Sequence, residues 1–227
     1  MWYKVKRIMM RPNGVEKQVR PSGWTPWANT LAYYSFDDQW VKWYVKDFSW
    51  NWYNLNVGTQ PTYSLLSWNN YVWVYSGSWK CSVNSSYSWA IKTISMWFNI
   101  NTQQSQYIFQ FWISGDQFAI IYWYSRSKLE FYSDSPRVTL YNSLSLNTWY
   151  HVCLTQNNNN LWTVYINNSQ TTTFTKELNS FVSISVWSSR DWDRMKWMLD
   201  NVIIETKART AQEIADYYNL TKANYWL

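Results

Sequence analysis

Short strand-like runs constrain the fold of this chain more than any other feature. Between residues 31 and 205, twelve runs of alternating or continuous apolar residues follow one another, joined by polar connections. Runs of this length are typical of β-strands with at least one buried face. Many of them in succession predict an all-β fold, a two-sheet antiparallel jelly-roll sandwich. The runs are 31–36, 53–57, 71–75, 92–99, 107–113, 117–124, 128–132, 137–141, 149–155, 161–166, 181–186 and 198–205.

Only one segment has the pattern of a helix, and it lies near the C-terminus. In Thr210-Ala211-Gln212-Glu213, the threonine hydroxyl can accept from the glutamate amide while the glutamate carboxylate returns to the threonine amide. Ile214, Tyr217 and Tyr218 then fall on one face at helical spacing. The sequence therefore predicts one short C-terminal helix of about two turns, packed against the sandwich.

The first 30 residues form a separate basic segment. The turn signal Arg11-Pro12-Asn13-Gly14 stands between two alternating runs and predicts an N-terminal β-hairpin, which a proline-containing linker follows. Six of the 20 basic residues but only one of the 14 acidic residues lie in this segment. We therefore expect a basic hairpin and linker at 1–30 and a jelly-roll domain at 31–227. The hairpin is expected to dock to another protein rather than to nucleic acid, and a merely solvated hairpin is the alternative.

Hydropathy bears on where the protein works. No stretch reaches about 18 consecutive apolar residues, so no insertion into a membrane is expected. Near the start, the longest apolar run directly before Arg11 has only three residues, 8–10, and it is too short for the core of a signal peptide. An extracellular or virion location reached without a signal peptide is the resulting expectation.

Several segments of the chain carry a family resemblance when they are taken together and in order. They are LAYYSFDD (31–38), KDFSWNWYNL (46–55), KTISMWFNI (92–100), LNTWYHVCLT (146–155), LWTVYINN (161–168) and MLDNVIIETKARTAQEIADYYN (198–219). This ordered set resembles the laminin-G-like jelly roll of the concanavalin A-like lectin and glucanase superfamily. The resemblance covers residues 31 to 220 and implies a sandwich closed by a capped helix.

Tryptophan stands at several positions where the resembled family has glycine. The chain has 20 Trp and only 5 Gly, whereas glycine is about 7% of an average protein. Trp50 and Trp52 lie where the family pattern is Ser-Gly-Asn-Gly, and Trp197 precedes the last strand, where glycine is again usual. By contrast, Trp97 and Trp149 match tryptophans of the family. We hypothesise that many of the others are UGA codons read as glycine in the source organism. A protein that is truly rich in tryptophan is the alternative.

No reactive constellation is visible in the sequence, so the protein is expected not to be an enzyme. His151 is the only histidine, and no Ser-His-Asp or Cys-His pattern surrounds it. The glucanases of the resembled superfamily carry alternating carboxylates on one strand, which serve as acid and nucleophile. This chain does not repeat that motif. Cys81 and Cys153 fit no metal-ligand spacing, and two buried thiols are expected.

The resemblance implies a structural calcium ion that ties the first strand of the domain to the last one. The matching positions are Asp37, at the end of YYSFDD, and Asp200, in MLDNV. Carbonyl oxygens of the loop at 49–51 would complete the hard oxygen ligand set that Ca²⁺ prefers. The alternative is that Asp37 begins a turn and that Asp200 accepts from backbone amides.

Carbohydrate binding is the activity that the resembled fold most often offers. Aromatic rings stack on sugar C–H faces, and polar side chains bond the hydroxyl groups. Tyr122, Tyr124 and Tyr132 are the candidate ligand contacts, because tyrosines are unaffected by the glycine hypothesis. If every tryptophan of the sequence is genuine, four strand tryptophans would add a sugar-stacking surface, and this surface is absent if they are glycines. Its members would be Trp73, Trp112, Trp123 and Trp162.

These observations favour a non-enzymatic carbohydrate-binding or adhesion module. Its expected partner is a glycan or cell-surface polysaccharide, and its expected setting is a phage tail or capsid accessory protein or a cell surface. The alternative is a purely structural or decoration protein that packs against other subunits without a sugar ligand.

Overall fold

The structure is a computed structural model, and most of the sandwich lies within the residues that it describes. The predicted N-terminal hairpin, almost all of its linker, Asp37, Trp50 and Trp52 lie outside the described residues, so the expectations for them stay predictions. The structure describes residues 29–35, 44–45, 47–49, 51, 53–57, 62–67, 70–75, 81–87, 90–101, 103, 105–113, 116–133, 137–178, 181–188 and 197–225.

Sixteen strands and one α-helix lie within the described residues. The strands are β1 (Thr30–Tyr34), β2 (Tyr44–Val45), β3 (Leu55–Val57), β4 (Thr62–Ser67), β5 (Asn70–Tyr75), β6 (Cys81–Tyr87), β7 (Thr93–Ile100), β8 (Gln106–Ile113), β9 (Asp116–Trp123), β10 (Lys128–Tyr132), β11 (Val138–Tyr141), β12 (Trp149–Gln156), β13 (Leu161–Ile166), β14 (Ser169–Thr175), β15 (Phe181–Ser188) and β16 (Trp197–Glu205). The helix is α1 (Ala211–Thr221), and a 3-10 turn, Lys222–Tyr225, follows it.

The strands form two eight-stranded antiparallel sheets. The first sheet has the order β14-β13-β12-β7-β16-β5-β4, and β1 also pairs with β16. The second sheet has the order β11-β10-β9-β8-β15-β6-β3-β2. The predicted two-sheet antiparallel sandwich with one C-terminal helix is confirmed. Strands β2, β4, β6 and β14 were not predicted. In β6 and β14, Ser, Thr and Asn dominate and leave little apolar alternation, and β2 has only two residues.

The core lies between the two sheets and is built from alternate strand residues. On β7, Ile94, Met96 and Phe98 point into the core. Trp97, one position out of phase, belongs instead to a small cluster on the outer face of the first sheet. All eight residues of β7 are nevertheless buried, because the C-terminal segment covers that outer face.

Aromatic rings fill the part of the core between β13 and β10. Trp162 is completely buried, and its indole N–H donates to the carbonyl of Lys176 at 2.8 Å. Its ring stacks on Phe174, whose ring also stacks on Phe131 at a centroid distance of 4.3 Å. A buried ring with its polar atom satisfied is the usual environment of a genuine core tryptophan. Trp162 therefore belongs to the core and not to a sugar-stacking surface.

The C-terminal helix is capped as the sequence predicts and is somewhat longer. The Thr210 hydroxyl accepts from the Glu213 amide, and the Thr210 amide donates to the Glu213 carboxylate at 2.8 Å. The helix has 11 residues and buries Ile214, Tyr217 and Thr221 against the sheet. In the part of the chain that the structure describes, no helix combines the length and apolar character needed to span a bilayer.

Candidate ligand-binding loops

Three loops meet at one end of the sandwich. Residues 101–105 connect β7 to β8, residues 124–127 connect β9 to β10, and residues 142–148 connect β11 to β12. We call them together the Tyr124 loop cluster. The amide of Leu144 donates to the carbonyl of Ser127 at 2.9 Å, and the amide of Asn147 donates to the carbonyl of Ile100 at 2.7 Å. The loops therefore hold one another in place although they come from both sheets.

Tyr124 is the exposed aromatic residue of this cluster. It is 40% exposed and begins the 3-10 turn Tyr124–Arg126, directly after β9 ends. Its hydroxyl donates to Oε1 of Gln103 at 3.0 Å, and its amide donates to the hydroxyl of Ser105 at 3.1 Å. Both ends of the residue are therefore tied to the neighbouring loop. The ring is presented to solvent in a held position, which lowers the entropic cost of binding a ligand.

Unusual backbone conformations are frequent in these loops. Among the described residues, seven non-glycine residues have positive φ, and three of them lie in the Tyr124 loop cluster: Ser127 at 48°, Ser143 at 66° and Asn147 at 57°. Such conformations cost on the order of 1 kcal/mol or more each and often occur where loops are shaped for a ligand. Hydrogen bonds of the cluster hold two of these residues, Ser127 and Asn147.

The other two predicted ligand tyrosines lie elsewhere. Tyr122 is 1% exposed, and it faces the core because alternate residues of β9 point to opposite faces. Burial raises the pKa of its hydroxyl. Tyr132 packs on the opposite face of the same sheet, edge-on to Tyr107, with Arg137 above its ring at 4.3 Å. The structure therefore does not bring Tyr122, Tyr124 and Tyr132 onto one surface, and only Tyr124 presents its ring to solvent.

Asp200 lies beneath the C-terminal 3-10 turn. It is completely buried, and its Oδ1 accepts from the amide of Asn201 at 2.7 Å. Its Oδ2 accepts from the Tyr225 hydroxyl, also at 2.7 Å. Both oxygens of this carboxylate therefore accept hydrogen bonds from described neighbours. No group of three His, Cys, Asp or Glu side chains suited to a metal occurs among the described residues. With Asp37 outside them, the calcium site stays a prediction.

A second buried carboxylate, Asp47, was missed in the sequence. Its Oδ1 accepts from the amides of Tyr33 and Ser49 at 2.9 and 2.8 Å. Its Oδ2 accepts from the Ser49 hydroxyl at 2.7 Å and from the Tyr53 amide at 3.0 Å. Burial raises the pKa of this carboxyl group, and the four donors oppose that shift. Asp47 therefore fastens the 47–53 loop to β1, and the Asp-x-Ser spacing was its only local signal.

His151 and Cys153 lie on β12 under the helix and have no access to solvent. His151 Nε2 is 2.8 Å from the Ser95 hydroxyl, and among the described residues Nδ1 has no hydrogen-bond partner. Burial, aided by the nearby Arg209, lowers the pKa of His151 to about 3. Burial raises the pKa of the Cys153 thiol to about 12. The histidine is therefore neutral and the thiol protonated near neutral pH, and neither can act on a substrate in solution.

An ion pair anchors the start of the helix to the last strand. Arg209 Nε donates to Glu205 Oε2 at 2.6 Å, and a terminal nitrogen of Arg209 donates to Oε1 at 3.1 Å. Both side chains are almost fully buried. The Arg209 carbonyl also accepts from the hydroxyl of Thr155 at 3.1 Å. This pair positions the helix over the sheet and leaves Arg209 without a role at the surface.

One protein-family model matches residues 84–215, more than half of the chain, and describes the concanavalin A-like lectin/glucanases superfamily. The matched range includes the whole Tyr124 loop cluster. No curated protein matches the chain.

Solved structures share the fold at low sequence identity. A Trypanosoma rangeli sialidase is 12% identical with a TM-score of 0.65, over 86% of this chain and 33% of the sialidase. The receptor binding domain of botulinum neurotoxin type G is 15% identical with a TM-score of 0.63, over 86% of this chain and 52% of that domain. The corresponding domain of neurotoxin D is 16% identical with a TM-score of 0.65, over 84% and 52%. This chain thus spans between a third and about half of these structures, and at such identities the similarity concerns the fold.

Proposed function

Because the chain belongs to the concanavalin A-like lectin/glucanase superfamily, we propose that it is a non-enzymatic carbohydrate-binding or adhesion module. The observation that carries this proposal is the exposed, hydrogen-bonded ring of Tyr124 in a cluster of three hydrogen-bonded loops. Structural neighbours support it by analogy. One structure of the T. rangeli sialidase is a complex with sialic acid, and one neurotoxin binding domain is a complex with synaptotagmin II.

The chemistry of the Tyr124 loop cluster suits a sugar. An aromatic ring offers a flat apolar face for sugar C–H groups, and amide and hydroxyl side chains beside it bond sugar hydroxyls. Asn142, Ser143, Ser145 and Asn147 are all exposed in the adjoining loop. The proposed ligand is therefore a glycan or cell-surface polysaccharide that stacks on Tyr124 and is oriented by these polar side chains.

A glycan array with purified protein tests this proposal. Tyr124→Ala is expected to weaken binding to any glycan found on the array by about tenfold or more, since losing the aromatic contact is expected to cost about 1.4 kcal/mol or more. Leu220→Ala is the matched control, because Leu220 is also 40% exposed but lies on α1. Binding that Tyr124→Ala leaves unchanged would place the ligand elsewhere, and no binding by the native protein would refute the proposal.

The proposed setting is a virion, as a phage tail or capsid accessory protein, or a cell surface. In this arrangement the basic segment at 1–30 docks to another protein and the sandwich presents its loops outward. The charge distribution of the sequence supports this part of the proposal. The absence of catalysis is likewise proposed, supported by the burial of His151 and Cys153.

A structural function is the second candidate, and one observation favours it. Strand β14 is an edge strand, and among the described strands only β13 pairs with it. Its seven residues, SQTTTFT, carry neither charge nor proline, and five of them are exposed. Proteins usually block such edges with charges or proline, so β14 is suited to pair with a second copy. A monomer in light scattering at every concentration would exclude this function, and a dimer dissociated by Thr173→Lys would support it.

A further inference from the structure

We propose that the glycan bound at the Tyr124 loop cluster is acidic and that Arg126 binds its carboxylate or sulfate group. This inference rests on the proposed function and adds the class of ligand. The three loops and the first residue of β10 contain Arg126 and Lys128 but no Asp or Glu. The chain from residue 31 onward has nearly equal numbers of basic and acidic residues. Arg126 and Lys128 are therefore the charged residues nearest in sequence to the exposed ring, and both are basic.

Arg126 and Lys128 have no acidic partner among the described residues. The ion pairs found among the described residues join Lys207 to Glu213 and Arg209 to Glu205. Arg126 is exposed at the end of its turn, whereas Arg209 is buried. An exposed guanidinium that no protein carboxylate occupies retains its planar fork of N–H donors, which matches the oxygens of a carboxylate or sulfate.

The turn places Arg126 two residues after Tyr124 on a backbone that hydrogen bonds hold. Arg126 and Tyr124 belong to the same 3-10 turn, and the amide of Ser127 closes it by donating to the Tyr124 carbonyl at 3.0 Å. The Ser127 carbonyl in turn accepts from Leu144. Lys128 pairs with Trp123 in the strand register and flanks the turn. We therefore expect Arg126 to reach a sugar that stacks on Tyr124, and Lys128, at the start of the next strand, to add positive charge nearby.

Matched pairs of glycans test the inference. We would measure binding of the full chain to dextran, carboxymethyl dextran and dextran sulfate, and to tetragalacturonic acid and its methyl ester. At least one acidic member is expected to bind tenfold or more tightly than its neutral counterpart. Arg126→Gln should remove most of that difference. Arg137→Gln is the matched control, because Arg137 is also exposed but lies at the other end of β10.

The outcomes separate this inference from the proposed function. If neutral and acidic members bind equally and Tyr124→Ala abolishes both, the glycan site stands and the acidic specificity is refuted. If Arg126→Gln and Arg137→Gln weaken acidic glycans equally, the attraction is non-specific and the inference fails. If none of these probes and no array glycan binds, the proposed function itself fails. Tighter acidic binding that depends on both Tyr124 and Arg126 supports the inference.

Discussion

The buried histidine predicts how the stability of the fold depends on pH. His151 has a pKa of about 3 in the folded chain because burial, assisted by Arg209, disfavours its charged form. In the unfolded chain its pKa returns to about 6.5. The unfolded chain therefore binds a proton more readily than the folded one. The stabilisation is complete above the unfolded pKa and is lost as the pH falls from about 6.5 toward 3.

The size of the effect follows from these two pKa values. Each pKa unit corresponds to about 1.4 kcal/mol, so the upper limit is about 5 kcal/mol at strongly acidic pH. Between pH 7 and pH 5 the expected loss is about 2 kcal/mol, and this value holds for any folded pKa well below 5. Over that narrower range most carboxyl groups stay ionised, so the histidine contribution is separable.

Urea unfolding followed by tryptophan fluorescence measures this loss. The native chain and His151→Gln would be unfolded at pH 7, 6 and 5, and each free energy of unfolding compared with its own value at pH 7. Groups common to both proteins, including Asp47, cancel in the difference. The native chain should lose about 2 kcal/mol more than the variant. Equal losses in the two proteins would refute the argument that His151 is held neutral by burial.

Three further predictions concern the ion pair, the core and the metal. Glu205→Gln leaves the Arg209 cation buried without its carboxylate and should lower the free energy of unfolding by about 3–5 kcal/mol; a loss below 1 kcal/mol in urea unfolding would contradict this. Trp162→Ala should cost a similar amount, about 3–5 kcal/mol, and if the codon for Trp162 in the gene were UGA rather than UGG, its assignment as a genuine core tryptophan would be wrong. If the predicted calcium ion is present, calcium should raise the melting temperature of the native chain but not of Asp200→Ala, and a melting temperature insensitive to EDTA would count against it.

The predictable part of the fold is the part in which burial is periodic. Strands β7 and β13 alternate apolar residues toward the core, and Thr210 and Glu213 form a local capping pattern, so all three could be inferred from sequence spacing. The polar strands β6 and β14 depend on backbone pairing with neighbours far along the chain. Such strands have no local signature, because main-chain hydrogen bonds do not require particular side chains.

The candidate site was only partly predictable for a related reason. The predicted run 117–124 continues one residue beyond β9, which ends at Trp123. Tyr124 is the residue beyond the strand end. Tyr122, inside the strand, therefore faces the core, whereas Tyr124, in the turn, is exposed to solvent. The four donors to Asp47 include the amide of Tyr33, 14 residues away, so its role requires β1 to be in place. The sequence indicates which residue types could bind a ligand, and the positions at which strands end and turns begin decide which of these side chains are exposed to it.

The position of β16 has a consequence for how the chain is made. Within the first sheet, the strand group β14-β13-β12-β7 and the pair β5-β4 are joined only through β16, among the strands that the structure describes. β1 also pairs with β16, and the Thr206 amide donates to the carbonyl of Asn29. During synthesis this sheet stays open along both β7 and β5 until residues near 205 leave the ribosome. Contacts between residues far apart in sequence, such as those of β1 and β5 with β16, form slowly. The unpaired edges of β7 and β5 favour aggregation until these contacts form. A chain truncated before residue 197 should therefore be insoluble rather than merely less stable.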